Sequence, residues 1–282
     1  MRRKIYLRNG YGQIWSLNSS KTGFYTSPAG LGFDKETSYI AIGSKFISAE
    51  LKDAQAQITG TIAFGKDGDK TPYNVQHEFT QFTELEDKLE FVYETDAGTY
   101  YRDVDFISFG KTEISNGLLH CTVAFNCKSL FYDSQVDRFI VTRSDGELRY
   151  SFRYPARFND YANRKVLVSN NGHTLAPFTA EIFGYCEYPR VVCLQNKQEV
   201  ARVEFDTILQ ESEKILFSTV DGNLYCYRQA TDGTLTNFTP NLDITNENFF
   251  KLPKGETELM IQSDTAATNR TIFCIYRYYR TV

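Results

Sequence analysis

The sequence predicts a mainly β protein in two domains, the first of which carries one amphipathic helix. Three observations predict it. Aromatic residues make up 15% of the 282, nearly all of them Tyr and Phe, and such side chains fit the pleated, half-buried surface of a sheet. Asx-Gly pairs recur along the whole length, at Asn9-Gly10, Asp67-Gly68, Asn116-Gly117, Asp145-Gly146, Asn171-Gly172, Asp221-Gly222 and Asp232-Gly233. These residues accept the positive φ that tight hairpin turns require. Between the pairs lie short runs of alternating hydrophobicity.

Taken in order, the opening Met1-Arg2-Arg3-Lys4-Ile5-Tyr6-Leu7-Arg8 is basic but lacks the apolar core of a signal peptide. It reads as a first strand, so the protein is expected to be made and held in the cytoplasm. From Asn74 to Leu89 the apolar residues Val75, Phe79, Phe82 and Leu89 recur at helical spacing, with Glu84, Glu86, Asp87 and Lys88 among the polar positions. Thr71-Pro72 supplies a cap and a first-turn proline. A strand, Leu89 to Glu94, follows this helix. Leu118 to Cys127 alternates, placing Leu119, Cys121, Val123 and Phe125 on one face. Hairpins are expected across Asp145-Gly146, between Phe139-Ile140-Val141 and Leu148 to Phe152, and across Asp221-Gly222, between Ile215-Leu216-Phe217 and Leu224 to Tyr227. The chain ends on a strand, Thr271 to Tyr279. The aromatic run Ser129-Leu130-Phe131-Tyr132 closes one strand system, so a boundary near Tyr132-Asp133-Ser134-Gln135 divides residues 1–133 from 134–282.

Composition excludes several classes of function. Net charge is −4, and no stretch gathers the basic stripe that grips nucleic acid. No apolar run approaches the roughly 18–20 residues that span a bilayer. The six cysteines, Cys121, Cys127, Cys186, Cys193, Cys226 and Cys274, stand in strand-like segments without a CxxC pair. They are expected to be reduced core thiols with neither a disulfide nor a metal role.

Candidate chemistry is sparse. His77 falls on the helix, His120 inside a strand and His173 after a turn, and no nucleophile elbow, zinc-protease or phosphate-loop motif accompanies them. Each is read as structural. Asp67, Asp69, Thr71 and Glu78 could offer oxygens at EF-hand spacing, but Pro72 stands where the turn glycine belongs and cannot adopt a positive φ. Asp103 with Asp105, and Asp243 with Glu247, are tested as glycosidase pairs and read as solvated loop and edge acids. Trp15, Tyr25, Tyr225, Tyr227, Tyr276, Tyr278 and Tyr279 are candidates for stacking on sugar rings, though strand aromatics more often serve core or interface. No catalytic residue, metal or cofactor is assigned.

Several stretches carry a resemblance. In the first half these are Ile5-Tyr6-Leu7-Arg8-Asn9-Gly10, the helix followed by Tyr100-Tyr101-Arg102-Asp103-Val104, and Lys111-Thr112-Glu113-Ile114 leading to Leu119-His120-Cys121-Thr122-Val123-Ala124-Phe125 and Leu130-Phe131-Tyr132. In the second half they are Val168-Ser169-Asn170-Asn171-Gly172, Pro177 with Ile182-Phe183-Gly184, and Phe249-Phe250-Lys251-Leu252-Pro253-Lys254-Gly255. Over nearly its whole length the chain resembles the distal tail proteins of long-tailed phages and prophages of Gram-positive bacteria. The resemblance implies a tail-tube-like, ring-forming first domain and a galectin-like β-sandwich second domain. It implies a non-enzymatic homohexameric ring at the virion tail tip that lets DNA pass. Its partners would be the tail tube protein, the tail-associated protein, and receptor-binding or baseplate proteins. The alternative is a carbohydrate-binding adhesin acting through the second domain.

Overall fold

Strand follows strand from the start of the chain, and each turn is set by the residues that tolerate it. The computed structural model describes residues 3–85, 88–140, 164–243, 245–264 and 270–282. The expected hairpin across Asp145-Gly146 and the helix positions Glu86 and Asp87 lie outside them. The chain divides into two compact units, residues 1–133 with 279–282, and residues 134–278. The return of the last four residues to the first unit has no counterpart in the sequence pattern.

The first unit contains β1 (Lys4–Asn9), β2 (Ile14–Ser16), β3 (Asn18–Ser19), β4 (Gly23–Ala29), β5 (Lys35–Ile42), β6 (Lys45–Asp53), β7 (Gln57–Phe64), α1 (Pro72–Glu84), β8 (Leu89–Glu94), β9 (Thr99–Ser115), β10 (Leu118–Cys127) and the start of β11 (Phe131–Ile140). Antiparallel pairing runs β1 to β8, β8 to β9, β9 to β10, β10 to β7 and β7 to β4. The segment from Ile14 to Ser19 then closes the circle. Its first half pairs with β1 and its second half with β4. At the switch, Leu17 donates its N–H to the Ile5 carbonyl and accepts from the Tyr25 N–H, at 2.9 and 3.0 Å. Asn18 holds the seam by bonding both the N–H and the carbonyl of Ile5, each at 2.8 Å. Closure of this kind leaves few strand edges open to pair with another chain.

The alternation expected of β10 is realised, since Leu119, Cys121, Val123 and Phe125 are all buried. They meet Ile58, Ile62 and Phe64 of β7, Phe91 of β8 and the buried face of α1. Thr71 caps α1 and Pro72 opens it, with Val75, Phe79 and Phe82 turned inward. Phe79 packs against Trp15, Phe64, Phe106 and Phe109 at centroid distances of 5.4 to 6.0 Å. The helix is shorter than its hydrophobic spacing suggests. It ends at Glu84, and Leu89 begins β8 instead.

The second unit is a two-sheet sandwich. Its strands are β12 (Arg164–Asn170), β13 (Phe178–Phe183), β14 (Cys186–Glu187), β15 (Arg190–Gln195), β16 (Gln198–Glu204), β17 (Ile208–Leu209), β18 (Lys214–Val220), β19 (Asn223–Gln229), β20 (Leu235–Asn237), β21 (Gly255–Gln262) and β22 (Arg270–Tyr279). One sheet runs β20-β19-β18-β13-β22, the other β12-β21-β15-β16, with β14 and β17 paired apart. The inward residues of both sheets, among them Phe178, Ile182, Phe217 and Phe273 from the first and Val191, Cys193, Leu259 and Ile261 from the second, form one core. Buried Asn170 ties the loops together: its amide donates to the carbonyls of Thr174, Leu252 and Pro253, and its oxygen accepts from the Gly172 N–H.

Candidate functional site

The groups singled out for chemistry disperse. His77 is exposed on α1 with its ring beside the Gln81 amide at 3.2 Å, one helical turn on. His120 is half-buried on β10, and His173 donates its backbone N–H to the Tyr278 carbonyl at 2.7 Å. The loop with EF-hand spacing is used locally. Asp67 and Lys70 exchange backbone hydrogen bonds across a tight turn, and Glu78 is held by the Lys70 ammonium at 2.8 Å. Among the described residues no three His, Cys, Asp or Glu side chains gather around a point where a metal could sit.

The two carboxylate pairs tested for glycosidase chemistry do not come together. Asp105 binds Lys128 at 3.2 Å. Asp103 turns instead toward Glu90, its cross-strand neighbour on β8, and the Tyr132 hydroxyl contacts both carboxylates at 3.4 and 3.2 Å. Burial, then the charge of Glu90, pushes the Asp103 carboxyl above its ordinary value. Arg8 and Lys88 both ion-pair with Glu90, so this cluster is a neutralised network on the sheet. Its signal in the sequence is cross-strand, not local, and spacing alone cannot reveal it. Asp243 organises a turn by accepting from the Thr245 N–H and hydroxyl and the Asn246 amide; these bonds hold its carboxyl below the usual range. Glu247 is exposed.

No disulfide joins any of the six cysteines, and five of the six are buried. Burial pushes the Cys226 thiol up to about 12 and those of Cys121 and Cys193 to about 11, far from the thiolate state that reactivity requires. Trp15 and Tyr25 belong to the first core. Tyr279 packs edge-on against Tyr100 at 5.1 Å. Tyr225 and Tyr227 stack on the outward side of β19 at 5.4 Å and 21°, and Tyr276 is half-buried with Tyr278.

What stands out is an element the sequence reading passed over. β5 and β6 form a two-stranded sheet of their own. Ile40 faces Ile47 with Ile42 beside it, while Tyr39, Ala41 and Phe46 share the opposite face. Both faces are open: Phe46 is 76% exposed, Ile42 60%, and Tyr39 and Ile40 59% each. A free two-stranded hairpin is marginally stable in water, and an apolar surface of this kind marks a site of association. Its base is anchored: Ala54 donates its N–H to the Asp34 carbonyl at 2.9 Å, and Arg280 grips Asp53 with two hydrogen bonds at 2.8 and 3.2 Å.

Comparison with known proteins gives this geometry its setting. Residues 4–128 match the family model of the distal tail protein, N-terminal domain. Over its full length the chain is similar in fold to a chain of the phage P2 baseplate in its activated conformation with Ca, with a TM-score of 0.64 at 18% identity and 100% of each chain covered. The SPP1 Dit protein (gp 19.1), described as a paradigm of the hub adsorption apparatus in phages infecting Gram-positive bacteria, gives 0.63 at 14% identity, over 97% of this chain and 98% of its own. A search of curated proteins finds no match. The first unit thus carries the likeness to a distal tail protein N-terminal domain, and the whole chain shares its fold with these two structures.

Proposed function

We propose that the chain is a non-enzymatic hub at the virion tail tip, a homohexameric ring that joins the tail tube to the baseplate and lets DNA pass. In this reading the first unit builds the ring, with the tail tube protein on one side and the tail-associated protein on the other. The second unit, a sandwich of galectin type, holds receptor-binding or baseplate proteins.

The hairpin β5–β6 carries the argument. A closed strand circuit has little need of a partner, yet this unit holds out an arm that is apolar on both faces. Covering both faces takes a neighbour on each, as in a head-to-tail ring where every copy both gives and receives. A net charge of −4 fits a channel that DNA traverses without sticking. Light scattering and negative-stain imaging test the reading. The expected particle is an annulus of six times the 32.4 kDa chain mass with a central hole; a monomer at about tens of micromolar, the range in which stable rings persist, overturns it.

The stacked pair Tyr225–Tyr227 favours one second reading, an adhesin whose sandwich binds cell-wall polysaccharide. Retention of the full chain on host cell walls, lost on Tyr227→Ala, supports it, and equal retention of the variant removes it.

A further inference from the structure

Arg102 is the least accommodated charge in the first unit. It lies on β9 beside the core residue Val104, and only 2% of its surface reaches solvent. Nε donates to the Ser129 carbonyl at 2.8 Å, and the guanidinium lies over the Phe131 ring, 4.8 Å from its centroid. Nη1 is buried and has no hydrogen-bond partner. No carboxylate among the described residues ion-pairs with this group, and burial pulls its pKa below the ordinary arginine value. A guanidinium stays protonated in proteins, and burying a charge without a counter-ion is among the costliest arrangements a fold can keep.

The surroundings say what is missing. Arg102 lines a cleft of about 350 Å³ together with Asp53, Gln55, Cys127, Lys128 and Ser129. The acid among them is already engaged, since Asp53 is bound by Arg280. Lys128, about half exposed and paired with the equally exposed Asp105 at 3.2 Å, stands at the rim. The cleft therefore holds a buried guanidinium with one unpartnered N–H and, at its rim, an ammonium shared with Asp105, while the Gln55 amide donates to the Cys127 carbonyl at 3.2 Å.

We propose that this cleft is an oxyanion site, with Arg102 as the anchoring cation and Lys128 as the rim cation. Its ligand is a phosphate or a carboxylate, either of which sets its negative charge beside the Arg102 guanidinium, between the two basic groups. A carboxylate can come from an Asp or Glu of a neighbouring polypeptide, a phosphate from solution; the site is the same.

Thermal unfolding of the full chain tests this with two probes, inorganic phosphate and acetate, each at low millimolar concentration against chloride of matched ionic strength. Binding to the folded state raises the midpoint by about 2–4 °C at tenfold excess over the dissociation constant. The general stabilising action of phosphate is subtracted with Arg102→Met, which fills the space without the charge and should lose the shift. Should that variant not fold, Lys128→Gln, at an exposed position, is expected to raise the concentration needed by severalfold, and line broadening in phosphorus NMR reads the same occupancy directly. A phosphate shift alone assigns the site to phosphate-type anions; a shift with acetate too assigns it to carboxylates such as a partner's side chain. No shift with either probe, or an equal shift in wild type and both variants, overturns the proposal.

Discussion

Two hairpins of this molecule are built alike and used in opposite ways. β18 and β19 are joined across Asp221-Gly222, with Gly222 at φ 73°, and bury Ile215, Phe217 and Cys226 on one face. β5 and β6 are joined through Gly43 at φ 62°, and no residue of β5 is buried. The apolar residues of the first are spent inside the chain, whereas those of the second stay available. Local turn chemistry makes a hairpin in both cases; only tertiary packing decides whether its side chains serve folding or association.

The sharpest way to break that comparison is to substitute one Phe in each. Phe217 stacks on Phe249 at 5.4 Å and 12° and is fully buried. Phe217→Ala should cost about 3–5 kcal/mol of stability, read as a lower denaturation midpoint. Phe46→Ser should leave subunit stability within about 0.5 kcal/mol, as surface changes do, while reducing the assembled mass seen by light scattering. If Phe46→Ser unfolds the subunit instead, the hairpin is part of the fold and the contrast fails.

A smaller effect is expected where the barrel-like first unit is tightest. Gly60 on β7 lies under the Tyr25 ring, and a Cβ there would stand 2.6 Å from Cζ and 2.7 Å from the hydroxyl. Tyr25, on β4, is buried, with its ring 6.1 Å from that of Phe91 on β8, and cannot swing away freely. Gly60→Ala should therefore cost about 1–3 kcal/mol through overpacking. Unchanged stability would mean that the ring yields and this core is looser than its geometry implies.

These contrasts also mark what the sequence made legible. Asn116-Gly117 announced its turn, and both residues adopt positive φ, 52° and 75°. β10 announced its inward face because one side of it is buried and the period is clean. The β5–β6 hairpin gave no such sign: apolar on both faces, it has no alternation to read, and its Gly-Ser turn is less distinctive than Asx-Gly. The turn between β15 and β16 is harder still, since Asn196 and Lys197 take φ of 53° and 64° and a lysine carries no turn signal. The end of α1 was misplaced because Leu89 is buried either way, so its hydrophobicity could not separate helix from strand. Arg102 stands in the run Tyr100-Tyr101-Arg102-Asp103-Val104, yet its missing counter-ion is a property of packing that no spacing contains.

Electrostatics sharpens the comparison at the smallest scale, where two aspartates of the first unit should respond to pH in opposite directions. The hydrogen bonds from Arg280 hold the Asp53 carboxyl below its ordinary value. That stabilisation is present above the unfolded value of about 3.9 and disappears as pH falls through the folded one. Arg280→Ala should cost about 1 kcal/mol at neutral pH, with faster hydrogen exchange of the Ala54 N–H at the hairpin base. Asp103 is raised, by burial first and the Glu90 charge second. Its contribution is complete below about 3.9 and is lost as pH rises through the folded value, so at neutral pH the ionised carboxylate is a burden. Asp103→Asn keeps an oxygen for the Tyr132 hydroxyl and removes the charge. It should stabilise the protein at pH 7 by less than about 1 kcal/mol, and the gain should vanish in melts near pH 4. A loss of stability at pH 7 would show that the Lys88 and Lys128 charges outweigh burial and Glu90 at this site.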